Sequence, residues 1–110
     1  MVFDNFSGVP LVSIPQNYQV EIGQNVVVVC SITSNPQHFT VQWKRRDNNN
    51  ALTNIDTSDQ TQYTGGNLNT PSLTILNAAN NDEGFYICTA TNVVGQGSSQ
   101  AAYVDVTGCK

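Results

Sequence analysis

The chain predicts an all-β fold of two antiparallel sheets packed face to face. Two observations carry that reading. Short segments alternate apolar and polar residues with a period of two, as half-buried strands do. In addition, Cys30, Trp43 and the stretch Asp82-Glu83-Gly84-Phe85-Tyr86-Ile87-Cys88 set two cysteines around a tryptophan, with a tyrosine two residues before the second cysteine.

The elements follow in order. Residues 1–8 show no period and read as a lead-in or linker, so the domain is expected over 9–107, with 108–110 a tail toward a following segment. Val12 and Ile14 alternate until Pro15 interrupts, as an edge strand permits. Val20 and Ile22 continue to a turn at Gly23. Val26, Val28, Cys30 and Ile32 are expected inward, with Val27, Val29 and Ser31 on the opposite face. Residues 34–37 form a loop. Phe39, Val41 and Trp43 are expected to make the inward face of the next strand, with Gln42 and Lys44 outward. The segment 47–66 is polar and turn-rich, with short strands near 51–55 and 61–64 and a turn at Gly65-Gly66. Leu73 and Ile75 point inward from a strand over 72–76, and 77–82 turns the chain. Tyr86, Cys88 and Ala90 point inward from a strand over 85–92. Gly95-Gln96-Gly97 marks a hairpin, and Ala102, Val104 and Val106 are inward on a last strand over 100–106. No internal repeat or second domain is visible.

The cysteine–tryptophan–tyrosine constellation resembles the immunoglobulin superfamily. The resemblance implies a Cys30–Cys88 bridge between the sheets and Trp43 packed on it. It also implies a tyrosine corner, with the Tyr86 hydroxyl sent back to the backbone around Asp82. The stretch 73–95, with Leu73, Asp82, Gly84, Tyr86, Cys88, Ala90, Asn92 and Gly95, looks like the I-set. Twelve residues separate Cys30 from Trp43 and 57 separate Cys30 from Cys88, the latter long for a compact I-set domain and short for an antibody-type variable domain. Variable-type domains often pair an arginine near the strand placed here at 61–64 with the aspartate of the turn placed here at 77–82. No arginine follows Arg46, so Asp82 is expected to cap its own turn. Lys44-Arg45-Arg46 reads as a solvated strand end or turn, ahead of a small anion-binding spot.

Composition narrows the function. A length of 110 residues suits one domain, and a net charge of −4 argues against nucleic acid, because little here would displace phosphate counterions. No apolar run approaches membrane-spanning length, Val26 to Val29 being a strand-sized piece, and no membrane insertion by this segment is expected. Nothing resembles a signal peptide, so the chain reads as a mature piece of a longer protein. His38, the single histidine, reads as a loop side chain in water. A catalytic set would need a nucleophile and an orienting acid gathered around it. Asp56, Asp59, Asp82 and Glu83 lack the spacing of a calcium loop, the cysteines are not clustered with histidine, and no glycine-rich phosphate loop is present. No catalytic residue, metal or cofactor is expected. Cys109 is left over: it reads equally as an intermolecular partner or as a free thiol. Asn5-Phe6-Ser7 is a glycosylation sequon, a weak pointer to an extracellular origin.

The resemblance implies a non-catalytic protein-recognition module of a cell-surface adhesion molecule or receptor, extracellular or at the cell surface. Its partner would be a protein, either a second copy or another molecule, beside neighbouring domains of a longer chain. Two alternatives stay open: an intracellular I-set spacer of a cytoskeletal or muscle protein, and a secreted immune-type recognition molecule. Immunoglobulin domains bind through end loops or through the sheet that here holds the strands of 85–92, of 100–106 and of Phe39, Val41 and Trp43. The outward residues there are Gln42, Lys44, Ile87, Thr89, Tyr103 and Asp105, with Ile87 and Tyr103 as anchors. The other sheet would show Val27, Val29 and Leu76, and the tip loops Gln37, His38, Val93 and Val94. Cys88→Ala should cost several kcal/mol, of order 2–5, and Trp43→Ala about 3–5 kcal/mol. Urea denaturation checks both, and full stability in either variant would refute the core assignment.

Overall fold

The computed structural model describes residues 8–46 and 50–108, which form an immunoglobulin-like sandwich of short strands. In chain order these are β1 (Leu11–Ser13), β2 (Tyr18–Glu21), β3 (Val26–Val28), β4 (Ser31–Thr33), β5 (Thr40–Arg46), β6 (Leu52–Asn54), β7 (Tyr63–Gly65), β8 (Leu73–Ile75), β9 (Gly84–Thr91), β10 (Gln96–Ser98) and β11 (Ala102–Thr107). A 3-10 turn, Asn80–Asp82, precedes β9. One layer holds β3-β8-β7 together with the β1-β4 pair; the other runs β2-β11-β9-β5-β6, with β10 also on β9. Asn5 and Cys109 lie outside the described residues.

The layers are divided by the chain's own interruptions. Ile14 is fully buried, and Pro15 after it has no N–H to give a ladder. The first strand therefore changes sheet there. β1 pairs antiparallel with β4, and β2 runs parallel to β11, Val20 opposite Val106. The second strand breaks at Val29 and Cys30, whose amides go to side chains instead: Val29 N–H to the Tyr18 hydroxyl and Cys30 N–H to the Ser72 hydroxyl, both at 3.0 Å.

Between the layers lie Val28, Leu73, Ile75, Tyr86 and Val104, with Trp43 wholly buried at 0% exposure. Cys30 and Cys88 are bridged, Cα–Cα 6.4 Å. The Trp43 indole N–H donates to the Pro71 carbonyl at 2.7 Å, so the ring is buried without an orphaned donor. The inward positions expected on β3, β8, β9 and β11 are all inward.

Three expectations are corrected. Phe39 is 51% exposed, not inward. Val41 is half-buried and Trp43 fully so, which shows the strand outrunning the opposite layer toward Phe39. The hairpin turn sits at 92–95 rather than 95–97: Asn92 N–H donates to the Gly95 carbonyl at 3.0 Å, and Gln96 already pairs with Thr91. The last strand therefore starts at Gln96. Ser98 pairs with Thr89 and Ala102 with Tyr86, which leaves one residue extra on this strand, a β-bulge at 99–101. Gly97 belongs to β10 because β1 passes against it. A Cβ there would lie 1.9 Å from the Pro10 carbonyl oxygen. Gly97→Ala should accordingly lower stability by about 1–3 kcal/mol, measured by urea denaturation; an unchanged midpoint would show that this contact gives way freely.

Candidate recognition surface

The outward face of the β2-β11-β9-β5-β6 sheet is organised by register. Arg46 stands opposite Leu52 on β6 and Phe85 on β9, and Phe85 opposite Tyr103 on β11. One row therefore crosses four strands: Leu52, Arg46, Phe85, Tyr103. Along it the Arg46 guanidinium lies over the Phe85 ring, 4.9 Å from its centroid, a cation–π contact. Phe85 meets Tyr103 edge to face, centroids 4.9 Å apart. Phe85 remains 38% exposed and Leu52 is exposed beside it. The next row holds Asn54, Lys44 and Ile87.

The acidic end of the long row is built by Glu83. Its carboxylate accepts from the Tyr103 hydroxyl at 2.5 Å and from the Val106 amide at 3.0 Å. The Tyr103 hydrogen bond, then the Val106 one, holds the Glu83 carboxyl below the usual glutamate range. The same bond to Glu83 pushes the Tyr103 phenol up. Asp105 and Glu21 extend this side, on β11 and β2.

Of the expected contact residues, Lys44, Ile87, Tyr103 and Asp105 are half-exposed on this face. Thr89 is a correction: it is 2% exposed, and its hydroxyl donates to the Gln42 carbonyl at 2.7 Å. Gln42 is half-buried and its amide is committed to the backbone, donating to the Trp43 and Ile55 carbonyls at 2.7 and 3.0 Å. Phe85, Arg46 and Leu52 were not among the candidates. Period two alone places Phe85 beside Ile87; its position inside the tyrosine-corner motif concealed it.

The basic run is also corrected. Arg45 is no solvated strand end. It faces inward with Tyr86, its guanidinium 5.8 Å from that ring's centroid. Its Nη2 donates to the Asn81 carbonyl and, at 2.6 Å, to that of Glu83. Tyr86 donates to the Asp82 carbonyl at 2.5 Å, the tyrosine corner, and burial raises its phenol's pKa. Asp82 caps its turn, accepting from Ala79 N–H at 2.8 Å.

The tip is a second, apolar surface. Val93 is 77% exposed, and Val94, Phe39 and Leu11 are exposed with it. Below them the buried Asn92 amide donates to the carbonyls of Gly8 and Pro36, at 2.8 and 3.0 Å, and accepts from Val94 N–H at 2.8 Å. His38 is half-buried rather than open to water, with Nδ1 buried. On the other sheet Val27 and Val29 are exposed, as expected. An open groove of about 490 Å³ between β1, β4 and β10 is lined by Leu11, Ser13, Ser31, Thr33 and Ser98, with no titratable side chain. Among the described residues, no three His, Cys, Asp or Glu side chains are grouped to hold a metal, and no helix is long and apolar enough to cross a membrane.

This layout, with a first strand shared between sheets and β6 as the only strand beyond β5 among the described residues, is I-set-like. Residues 10–92 match the immunoglobulin domain family, and the chain belongs to it. Its relatives are longer proteins. Roundabout homolog 1 of Homo sapiens is 33% identical over 93 residues, covering 84% of this chain and 6% of that protein. Fibroblast growth factor receptor homolog 2 of Drosophila melanogaster is 31% identical over 98 residues, 87% of this chain and 9% of that one. Among solved structures, the N-terminal Ig1-2 module of the Drosophila receptor protein tyrosine phosphatase DLAR superposes with a TM-score of 0.72 at 28% identity, covering 93% of this chain and 47% of that one. The chain thus spans less than a tenth of either curated relative and resembles immunoglobulin domains of cell-surface receptors.

Glu83 makes the face sensitive to acid. Its folded-state pKa lies below the unfolded one, so its stabilisation is complete at neutral pH and is lost as pH falls through the ordinary glutamate range and below it. Glu83→Gln should lower stability at pH 7 and flatten its fall below about pH 5. Urea midpoints against pH test this; equal acid sensitivity in both proteins would refute it.

Proposed function

We propose that this chain is a non-catalytic protein-recognition module of a cell-surface adhesion molecule or receptor, spanning 9–107, with 1–8 and 108–110 leading to neighbouring segments. The contact is made by the outward face of the β2-β11-β9-β5-β6 sheet, through surface complementarity and without turnover. The observation that carries this is the row Arg46, Phe85 and Tyr103, in which an arginine and two aromatic rings are packed together yet left accessible to a partner. Interface centres are enriched in these residue types, and they dominate binding energy when desolvated. Two relatives with the word receptor in their names support a cell-surface setting. The bridged cysteines support an oxidising compartment over an intracellular spacer.

Beads coated with the domain test the reading on intact cells. Binding should be lost when the cells are treated with trypsin, survive glycosidase treatment, and fall roughly tenfold or more with Arg46→Glu or Phe85→Ala. Val93→Ser at the tip should leave it unchanged. Binding lost to glycosidase alone would favour the secreted glycan-recognition alternative, and indifference to both face substitutions would move the contact elsewhere.

A further inference from the structure

The same face carries charge of both signs, separated by strand. Cations lie on β5, as Lys44 and Arg46. Acids lie on the opposite side, as Glu83 against β11, Asp105 on β11 and Glu21 on β2. Between them stand Phe85 and Tyr103. β9 runs down the middle, with β5 on one side and β11 on the other.

We infer that this face is self-complementary and that its partner is a second copy of the chain, docked face to face about a twofold axis running along β9. The inference rests on the face being the contact surface. A twofold along β9 exchanges the two sides of the sheet. It sets β5 of each copy over β11 of the other at the same level, because Arg46, Phe85 and Tyr103 share a row. Arg46 of one copy then meets the Tyr103–Glu83 pair and Asp105 of its mate, and symmetry makes the contact twice. The other in-plane twofold, across the strands, would stack β5 on β5 and set cation on cation. Charge pattern therefore selects the axis as well as the partner. Asp47, next to Arg46, lies outside the described residues.

The size of the face sets the strength. Five strands spaced about 4.8 Å apart, with β5 contributing seven residues, present roughly 500 Å² per copy. Two copies bury roughly 1,000 Å², the low end for a specific interface. Weak, salt-dependent self-association follows, in the micromolar range or above, the regime in which many copies on apposed surfaces act together.

Sedimentation equilibrium in a Cys109→Ser background, which removes any Cys109 disulfide and leaves the Cys30–Cys88 bridge intact, tests the inference. The wild-type domain should dimerise at low ionic strength, with its dissociation constant rising roughly tenfold or more in about 0.5 M salt. Arg46→Glu makes the face acidic and Asp105→Lys makes it basic. Each variant alone should be monomeric, and an equimolar mixture should recover a dimer at least as strong as wild type. If Arg46→Glu lowers folding stability, Arg46→Gln serves instead, with a smaller loss. A wild-type monomer at every concentration overturns the inference, as does a dimer that ignores salt and both substitutions. The bead assay separates the two readings. If wild type is monomeric while Arg46→Glu still abolishes binding to cells, self-pairing fails and the recognition face stands. If Arg46→Glu changes neither, both fail.

Discussion

The structure depends on holding two sheets at one spacing, and the Cys30–Cys88 bridge does this at the centre of a core that is small by any measure. A domain of 110 residues buries a limited fraction of its surface, so a covalent tie across the layers carries weight that a larger core would supply by packing. The bridge has a backbone requirement. Both cysteines lie where the ladder is interrupted, Cys30 between β3 and β4, Cys88 opposite the bulge between β10 and β11. Each amide would be buried and unmatched, at a cost of about 1–3 kcal/mol. A serine meets each one: Ser72 takes Cys30 N–H and Ser99 takes Cys88 N–H, both at 3.0 Å. The bulge's extra residue is what brings Ser99 to that amide. Two irregularities that weaken the sheets locally therefore let the cross-link sit in the core with its polar groups satisfied.

From the bridge the constraint passes outward through one turn. Arg45 and Tyr86 are cross-strand partners beside Trp43 and Cys88. Between them they donate to three successive carbonyls, those of Asn81, Asp82 and Glu83. This clamp fixes the backbone of Glu83, whose carboxylate then receives Tyr103 and the Val106 amide. The position of an acid on the outer face is thus set by inward side chains two layers of contact away. Arg45, half-buried, holds the turn before β9 as an arginine does in variable-type domains, but through carbonyls instead of the Asp82 carboxylate. That leaves Asp82 to cap the turn.

Period two made most of this legible from sequence. It placed the inward residues of β3, β8, β9 and β11, because each of these strands sets one face against the core and a one-residue slip would expose it. It failed where another constraint governs. Phe39 has the parity of Trp43 but stands past the end of the opposite layer, and parity gives direction, not cover. Thr89 has outward parity, yet it is 2% exposed with its hydroxyl bound to the Gln42 carbonyl, so direction again did not give exposure. Arg45 shares the inward parity of Trp43, although a run of three basic residues reads as solvated. A guanidinium buries when carbonyls and a ring face surround it. Gly97 was read as a turn residue, although its role is to let β1 approach, which depends on a segment more than eighty residues earlier. Local pattern cannot contain such a contact.

The outward face also shows why its charges remain available. Arg46 and Glu83 could satisfy one another if adjacent, and the surface would then offer a partner little. Arg46 stands on β5, while Glu83, which directly precedes β9, turns its carboxylate to the far side, onto the Tyr103 hydroxyl and the Val106 amide of β11. Phe85 and Tyr103 fill the gap and engage each charge separately, a ring face under the guanidinium and a phenol on the carboxylate. Both contacts orient the charged groups without neutralising them. The aromatic pair is thus a spacer as much as an anchor. The apolar tip at Val93 and Val94 has no such pattern. It offers apolar area without charges to orient a partner.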